Sequence, residues 1–219
     1  SKSKWYKGNF NFPRKCLISS LDTATLHFDF ETFDTAIPIF DQSRPYQKIP
    51  FQYSLHKQHE DGTVEHYEYL ADGTCDPRIE LLERLENRID GTGSVVVFNK
   101  SFEISVFTKL AEDFPEYVPL INKVLGRIVD LATPFQNFYY YCPTQKGSYS
   151  LKKVLPAVTG KDYSHLEVNN GAEASVQYFN THIKKKGRDN GVLRKHLLSY
   201  CCLDTEGMVW IVDELRRVV

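Results

Sequence analysis

The segment Phe28-Asp-Phe-Glu-Thr32 limits the fold more than any other stretch. It closes an alternating run, Thr25-Leu-His-Phe-Asp-Phe30, that reads as a strand. Strand side chains alternate, so Asp29 and Glu31 point to one face and Phe28 and Phe30 to the other. Two adjacent anions repel, and nothing basic adjoins them in sequence; a pair of divalent cations would relieve the repulsion. Such pairs also occur on the solvated faces of edge strands, where no metal is needed. The aromatic residues on the opposite face make this strand read as central.

The rest of the chain supplies a sheet around it. Phe51 to His56 and Val64 to Leu70 also alternate, with a hairpin signal at Asp61-Gly62 between them. Three consecutive strands of this kind predict antiparallel pairing. Pro38, Pro45 and Pro50 make Asp34 to Pro50 a long loop. Asp76-Pro77 predicts a helix start, with Ile79, Leu82, Leu85 and Ile89 on the apolar face and Gly91 and Gly93 as the stop. Ser94-Val-Val-Val-Phe98 reads as a buried strand. Ser101 reads as the cap of a helix carrying Phe102, Val106 and Leu110, and Arg127 to Leu131 as a short strand. Further helices are predicted from Ser148 or Ser150, over Glu173 to Lys185, and over Leu193 to Val212. This order predicts an α/β protein: a mixed five-stranded sheet, three antiparallel strands then parallel strands, with helices on both faces. Residues 1–22 read as an N-terminal extension and 23–219 as one domain.

Composition narrows the function classes. With 219 residues, 42% of them hydrophobic, the chain can bury a full core and is neither disordered nor collagen-like. No apolar run approaches the ~20 residues of a membrane span, and the start at Ser1 is not a signal peptide, so no membrane partner is expected. A net charge of −1 argues against a dedicated basic nucleic-acid coat but not against an enzyme acting on nucleic acid. Five cysteines without a C-x-x-C pair predict free thiols in a reducing, cytoplasmic compartment. The only methionine is Met208, so the chain reads as a piece of a longer protein.

Two further elements carry candidate chemistry. Asn99-Lys-Ser-Phe-Glu103 follows the buried strand and puts Glu103 in the first turn of a helix, where the dipole favours an anion; capping near Ser101 is the plainer role. Tyr200-Cys-Cys-Leu-Asp204 puts Tyr200 and Asp204 on one helix face, one turn apart, a spacing that is usually structural.

Taken in order, D-x-E, N-x-x-F-E and Y-x-x-x-D resemble the motifs of the DEDDy branch of the 3′–5′ exonucleases, which share the RNase H-like fold. Within that superfamily the chain is similar to a bacterial domain-of-unknown-function family of predicted RNase H-like nucleases, often found beside other nuclease-like domains in longer chains. The resemblance runs from about Leu26 to Val212 and includes Gly147-Ser-Tyr-Ser-Leu-Lys-Lys-Val-Leu-Pro156. Glu103 departs from the exonuclease superfamily, whose second motif normally ends in Asp, and the longer side chain bears on how many metal ions are held.

The resemblance implies hydrolysis of phosphodiester bonds in single-stranded DNA or RNA with two Mg²⁺ or Mn²⁺ ions. Asp29 would bridge both ions, Glu31 and Asp204 would complete the first site, and Glu103 would support the second. Tyr200 would orient the attacking water, because a phenol with pKa near 10 is a poor base at pH 7. By motif position, Thr32, Phe33, Asn99 and Phe102 would contact substrate. Phe102 reads first as a core residue. His196 lies off the spacing of the histidine-type branch.

Other features read as structural. Arg44, Tyr46 and Lys48 form a basic, aromatic loop that would line a groove or simply cross the surface. Lys184-Lys-Lys186 with Arg188 reads as a solvated helix end, and Tyr139-Tyr-Tyr141 as packing under the sheet. His56, His59 and His66 flank the hairpin with nothing in the sequence to fix their geometry, so no metal site is expected there. Cys201 and Cys202 face different directions. The competing readings are a catalytically weak nucleic-acid-binding module and an accessory domain of a larger repair or defence protein.

Overall fold

The alternating run becomes β1 (Thr25–Phe33), which lies at the centre of the sheet. It pairs antiparallel with β2 (Ile49–Gln58), and β2 pairs antiparallel with β3 (Val64–Leu70). On its other side β1 runs parallel to β4 (Ser94–Val97), and β4 runs parallel to β5 (Ile128–Asp130). The strand order is therefore β3-β2-β1-β4-β5, the mixed five-stranded sheet expected. This computed structural model describes residues 17–18, 20–89, 92–168, 170–185 and 191–218. Most of the expected N-terminal extension, Gly91, Lys186 and Arg188 lie outside them.

The two faces of β1 differ in chemistry. Phe28 and Phe30 pack on Phe107 of α2 (Lys100–Asp113), with ring centroids 5.6 and 4.9 Å apart. The apolar side chains of α1 (Pro77–Glu86) join this same core. The long α7 (Gly191–Val218) covers the opposite face, and α5 (Leu151–Thr159) packs on α7. Gly207 permits that approach: a Cβ there would sit 3.1 Å from Leu155 Cδ2. No helix among the described residues is long and apolar enough to cross a membrane.

The face under α7 is polar yet buried. Thr25, His27 and Glu31 of β1 meet Gln52, Ser54, His56 and Gln58 of β2. Buried polar groups need partners, and the helix supplies several of them. Gln52 Nε2 donates to the Leu197 carbonyl at 2.9 Å, Gln58 Nε2 donates to Asp213 at 3.1 Å, and Thr205 Oγ1 lies 2.8 Å from His56 Nδ1. Burial pushes His27 down to about 3 and His56 to about 4, so both rings are neutral at pH 7.

Several helices depart from expectation. Ile79 is exposed, and Leu81 takes its place beside Leu82 and Leu85 in the core. The reason is Arg78, which turns inward. Its guanidinium bonds Asp76, Asp113 Oδ2 at 2.8 Å and the Asp41 carbonyl at 2.7 Å, and Gln47 Nε2 also donates to Asp113. Breaking such a buried pair leaves an uncompensated carboxylate. Arg78→Met is expected to cost about 3–5 kcal/mol in urea unfolding; a wild-type midpoint would refute the role.

At the start of α2, Ser101 is not the cap. Asn99 holds the N-cap position with φ +73°, and Asp130 of β5 accepts from the Asn99 and Lys100 amides at 2.9 and 3.2 Å. The sequence reading omits α3 (Val118–Leu125) and α4 (Thr133–Gln136). The helix expected over Glu173 to Lys185 starts earlier, as α6 (Gly171–Tyr178), and widens to a π-helix over Phe179–Ile183. Tyr140 packs edge-on against Phe135, as a structural role requires.

Candidate active site

The chain leaves β1 toward β2 on one side of the sheet and leaves β4 toward β5 on the other. In open α/β sheets the crevice at such a switch point is where ligands bind. A cleft of about 550 Å³ opens here, lined by Asp29, Phe98, Asn99, Tyr149, Lys152, Tyr200 and Asp204 among others.

Strand period and helix turn bring three expected carboxylates together. Asp29 and Glu31 lie on the polar face of β1, and α7 lowers Asp204 onto them. One oxygen from each lies within 4.8 Å of the other two. Burial raises the Asp29 carboxyl well above the ordinary range, and Asp204, Glu31 and Glu103 raise it further. Burial and then Asp204 push Glu31 up to about 8. Burial lifts Asp204 to about 6 against hydrogen bonds from Tyr163 and Tyr200. Cys201 Sγ sits 3.7 Å from Asp29 Oδ2, while Cys202 faces His66, so the two cysteines do point apart.

Glu103 approaches from α2. It stands outside the trio but close enough to act on Asp29 and Glu31, and burial pushes it up to about 8. Its Oε2 is buried without a hydrogen-bond partner among the described residues. Glu31 abuts the first residue of α6, where a Cβ on Gly171 would lie 3.2 Å from Glu31 Oε2. A side chain there would displace the carboxylate.

Tyr200 is buried beside Asp204, as its spacing requires. The sequence reading misses a second tyrosine. Tyr163 Oη donates to Asp204 Oδ1 at 2.5 Å, and its ring lies 6.1 Å from that of Tyr200. It also misses Lys152, whose Nζ lies 5.2 Å from the Tyr200 ring centre and 5.8 Å from that of Tyr163. Burial lowers the Lys152 pKa, and Asp204 and Glu31 oppose that shift. Lys152 falls in the Gly147–Pro156 stretch that carries part of the resemblance; Tyr163 has no local signal at all.

Of the expected substrate contacts, Asn99 lines the cleft. Phe33 lies within β1, and its ring is enclosed by Phe40, Phe51, Tyr178 and Phe179. Thr32 is buried in β1, and Phe102 packs against the core. Beside Tyr200, the aromatic walls of the cleft are Phe98 and Tyr149.

Fold and site together define an α/β protein with a buried carboxylate cluster at the switch point of a mixed sheet. The chain belongs to the family described as "Domain of unknown function (DUF2779)", whose model matches residues 26–150. That span holds Asp29, Glu31 and Glu103 and ends before Lys152, Tyr163, Tyr200 and Asp204. Among curated proteins it is similar to "Uncharacterized protein UU173" of Ureaplasma parvum, at 28% identity covering 75% of this chain and 28% of that protein. It is also similar to "Uncharacterized protein MG366 homolog" of Mycoplasma pneumoniae, at 25% identity covering 93% of this chain and 31% of that protein. The chain thus spans just under a third of the length of these relatives.

Proposed function

We propose that this protein is a metal-dependent 3′–5′ exonuclease of the DEDDy type, hydrolysing phosphodiester bonds of single-stranded DNA or RNA. The observation that carries this reading is the meeting of Asp29, Glu31 and Asp204 within 4.8 Å at the cleft. Three carboxylates held together without compensation would be a standing cost. An all-oxygen donor set suits Mg²⁺ or Mn²⁺, and the orphaned Glu103 Oε2 points to the same need. Asp29, Glu31 and Asp204 would hold one ion, and Glu103 would support a second. Bound there, the ions supply Lewis acidity toward water and toward the phosphoryl oxygens.

The chain's own groups set up the reaction. Tyr163 pins one oxygen of Asp204 and so fixes the direction of the other. Burial and the nearby carboxylates raise the Tyr200 pKa, keeping the phenol protonated, so it positions a water and does not take its proton. Lys152 brings a cation to the cleft that a phosphate can meet. Phe98 and Tyr149 offer ring faces, and base stacking is worth about 1–3 kcal/mol each.

Incubation with 5′-labelled DNA and RNA oligonucleotides, with and without Mn²⁺, tests the reading. A descending ladder that needs the metal is expected; intact oligonucleotide in Mn²⁺ rejects the enzyme. Glu103 standing outside the trio favours the alternative of a weak nucleic-acid-binding or accessory domain, which metal binding without turnover would select. Tyr163→Phe is expected to weaken metal binding by about 10–100-fold in calorimetric titration, the usual effect of removing a group that orients a ligand. Unchanged affinity would remove Tyr163 from the site.

A further inference from the structure

Beside the carboxylate trio, two strands and α7 bring together a second set of metal-capable side chains. His56 on β2, His66 on β3 and Cys202 on α7 each offer one ligand atom, and these atoms lie within 4.8 Å of one another. None belongs to the carboxylate trio. His56 and His66 are cross-strand partners with nearly parallel rings, 4.2 Å between centroids. His66 Nδ1 lies 4.0 Å from Cys202 Sγ.

Both rings are held from behind. Thr205 Oγ1 lies 2.8 Å from His56 Nδ1, Ser54 Oγ lies 2.9 Å from His66 Nε2, and the two hydroxyls are 2.6 Å apart. The hydroxyl protons have other acceptors. Ser54 can donate to Thr205, and Thr205 donates to the Cys202 carbonyl at 3.1 Å. The network therefore admits both imidazoles as donors to the hydroxyls. Each ring then keeps a lone pair on its second nitrogen, the tautomer in which histidine binds a metal.

A cleft of about 560 Å³ opens on His66 and Cys202, with Glu68, Arg194 and Ser199 also on its walls. We infer that His56, His66 and Cys202 form a zinc site separate from the carboxylate cluster, with a fourth position open to this cleft. Two nitrogens and a thiolate favour Zn²⁺ over Mg²⁺. Bond lengths of ~2.0–2.3 Å in a tetrahedron put ligand atoms about 3.3–3.7 Å apart, so the triad must close by about 1 Å and one of the two stacked rings must turn so that both in-plane lone pairs aim at one ion. His66, whose side chain is 28% exposed, supplies this by tilting off the stacked pair.

Titration of metal-free protein with Co²⁺ as a spectroscopic stand-in for zinc tests the site. One equivalent is expected to give intense tetrahedral visible absorption and a near-ultraviolet thiolate charge-transfer band, both displaced by Zn²⁺. Cys202→Ser should remove the thiolate band, and His66→Ala should weaken Zn²⁺ binding about tenfold or more. Asp29→Asn should leave the band in place, which separates this site from the carboxylates. A Co²⁺ complex of the wild type without a thiolate band, a band that survives Cys202→Ser, or no uptake of Zn²⁺ overturns the proposal.

Discussion

Replacing Asp29 or Asp204 with alanine is expected to cut Mn²⁺-dependent release of nucleotides from a 5′-labelled oligonucleotide by two to three orders of magnitude, roughly the effect of deleting one charge-stabilising group from an active site. The fold should persist. Asp29 sits in a cluster that repels it, with Asp204, Glu31 and Glu103 all disfavouring its charge. Asp29→Ala relieves that repulsion in the metal-free protein, so its melting temperature should hold or rise while turnover falls; Asp204→Ala leaves the buried Tyr163 hydroxyl without its acceptor and should melt lower. For Asp29 that pairing separates loss of chemistry from loss of structure. Wild-type turnover in either variant would sink the nuclease assignment.

Chelated protein is expected to lose stability as the solution turns alkaline. Glu31 and Glu103 are pushed up to about 8 and Asp204 to about 6, against ordinary values near 4. The native state thus binds these protons more tightly than the unfolded chain. Its stabilising contribution is complete below about pH 4 and is lost as the pH climbs through 6 to 8. His27 and His56 act in the opposite sense: their depressed pKa values cost stability as the pH drops below about 6.5. The comparison is therefore cleanest between about pH 6.5 and 8.5. Across that span the two glutamates alone remove on the order of 4 kcal/mol, or about 10 °C of melting temperature. Mg²⁺ or Mn²⁺ should restore the loss at the upper pH and do little at pH 5. A chelated melting temperature that stays level or rises over this range would show that the carboxylates are not held together in solution.

The parts of the site that were legible in sequence are those set by local period. Asp29 and Glu31 share a face because strands repeat every two residues, and Tyr200 and Asp204 share one because helices repeat every 3.6. The misreadings came where a distant group overrode a local signal. Ile79 fits the apolar spacing of α1, but Arg78 goes inward because Asp113, 35 residues on, receives it. Ser101 has the chemistry of a cap, but Asp130 reaches the amides at the start of α2 from β5. Phe33 holds a motif position that implies substrate contact, yet four aromatic rings from other segments close over it. Tyr163 meets Asp204 across 41 residues, and no local pattern marks it. The histidines of the hairpin lacked anything to orient them until α7 brought Thr205 and Cys202 into reach.

The amino-acid order alone determined the five strands, the longer helices, the α/β class and the carboxylates presented by β1, because hydrophobic period and backbone stereochemistry act over a few residues. Only the tertiary structure decided which polar groups meet: the acidic trio, the tyrosine pinned to Asp204 and the histidine–cysteine triad beneath α7. Burial and electrostatic coupling depend on distance in space, and laying one long helix across a polar sheet face sets those distances.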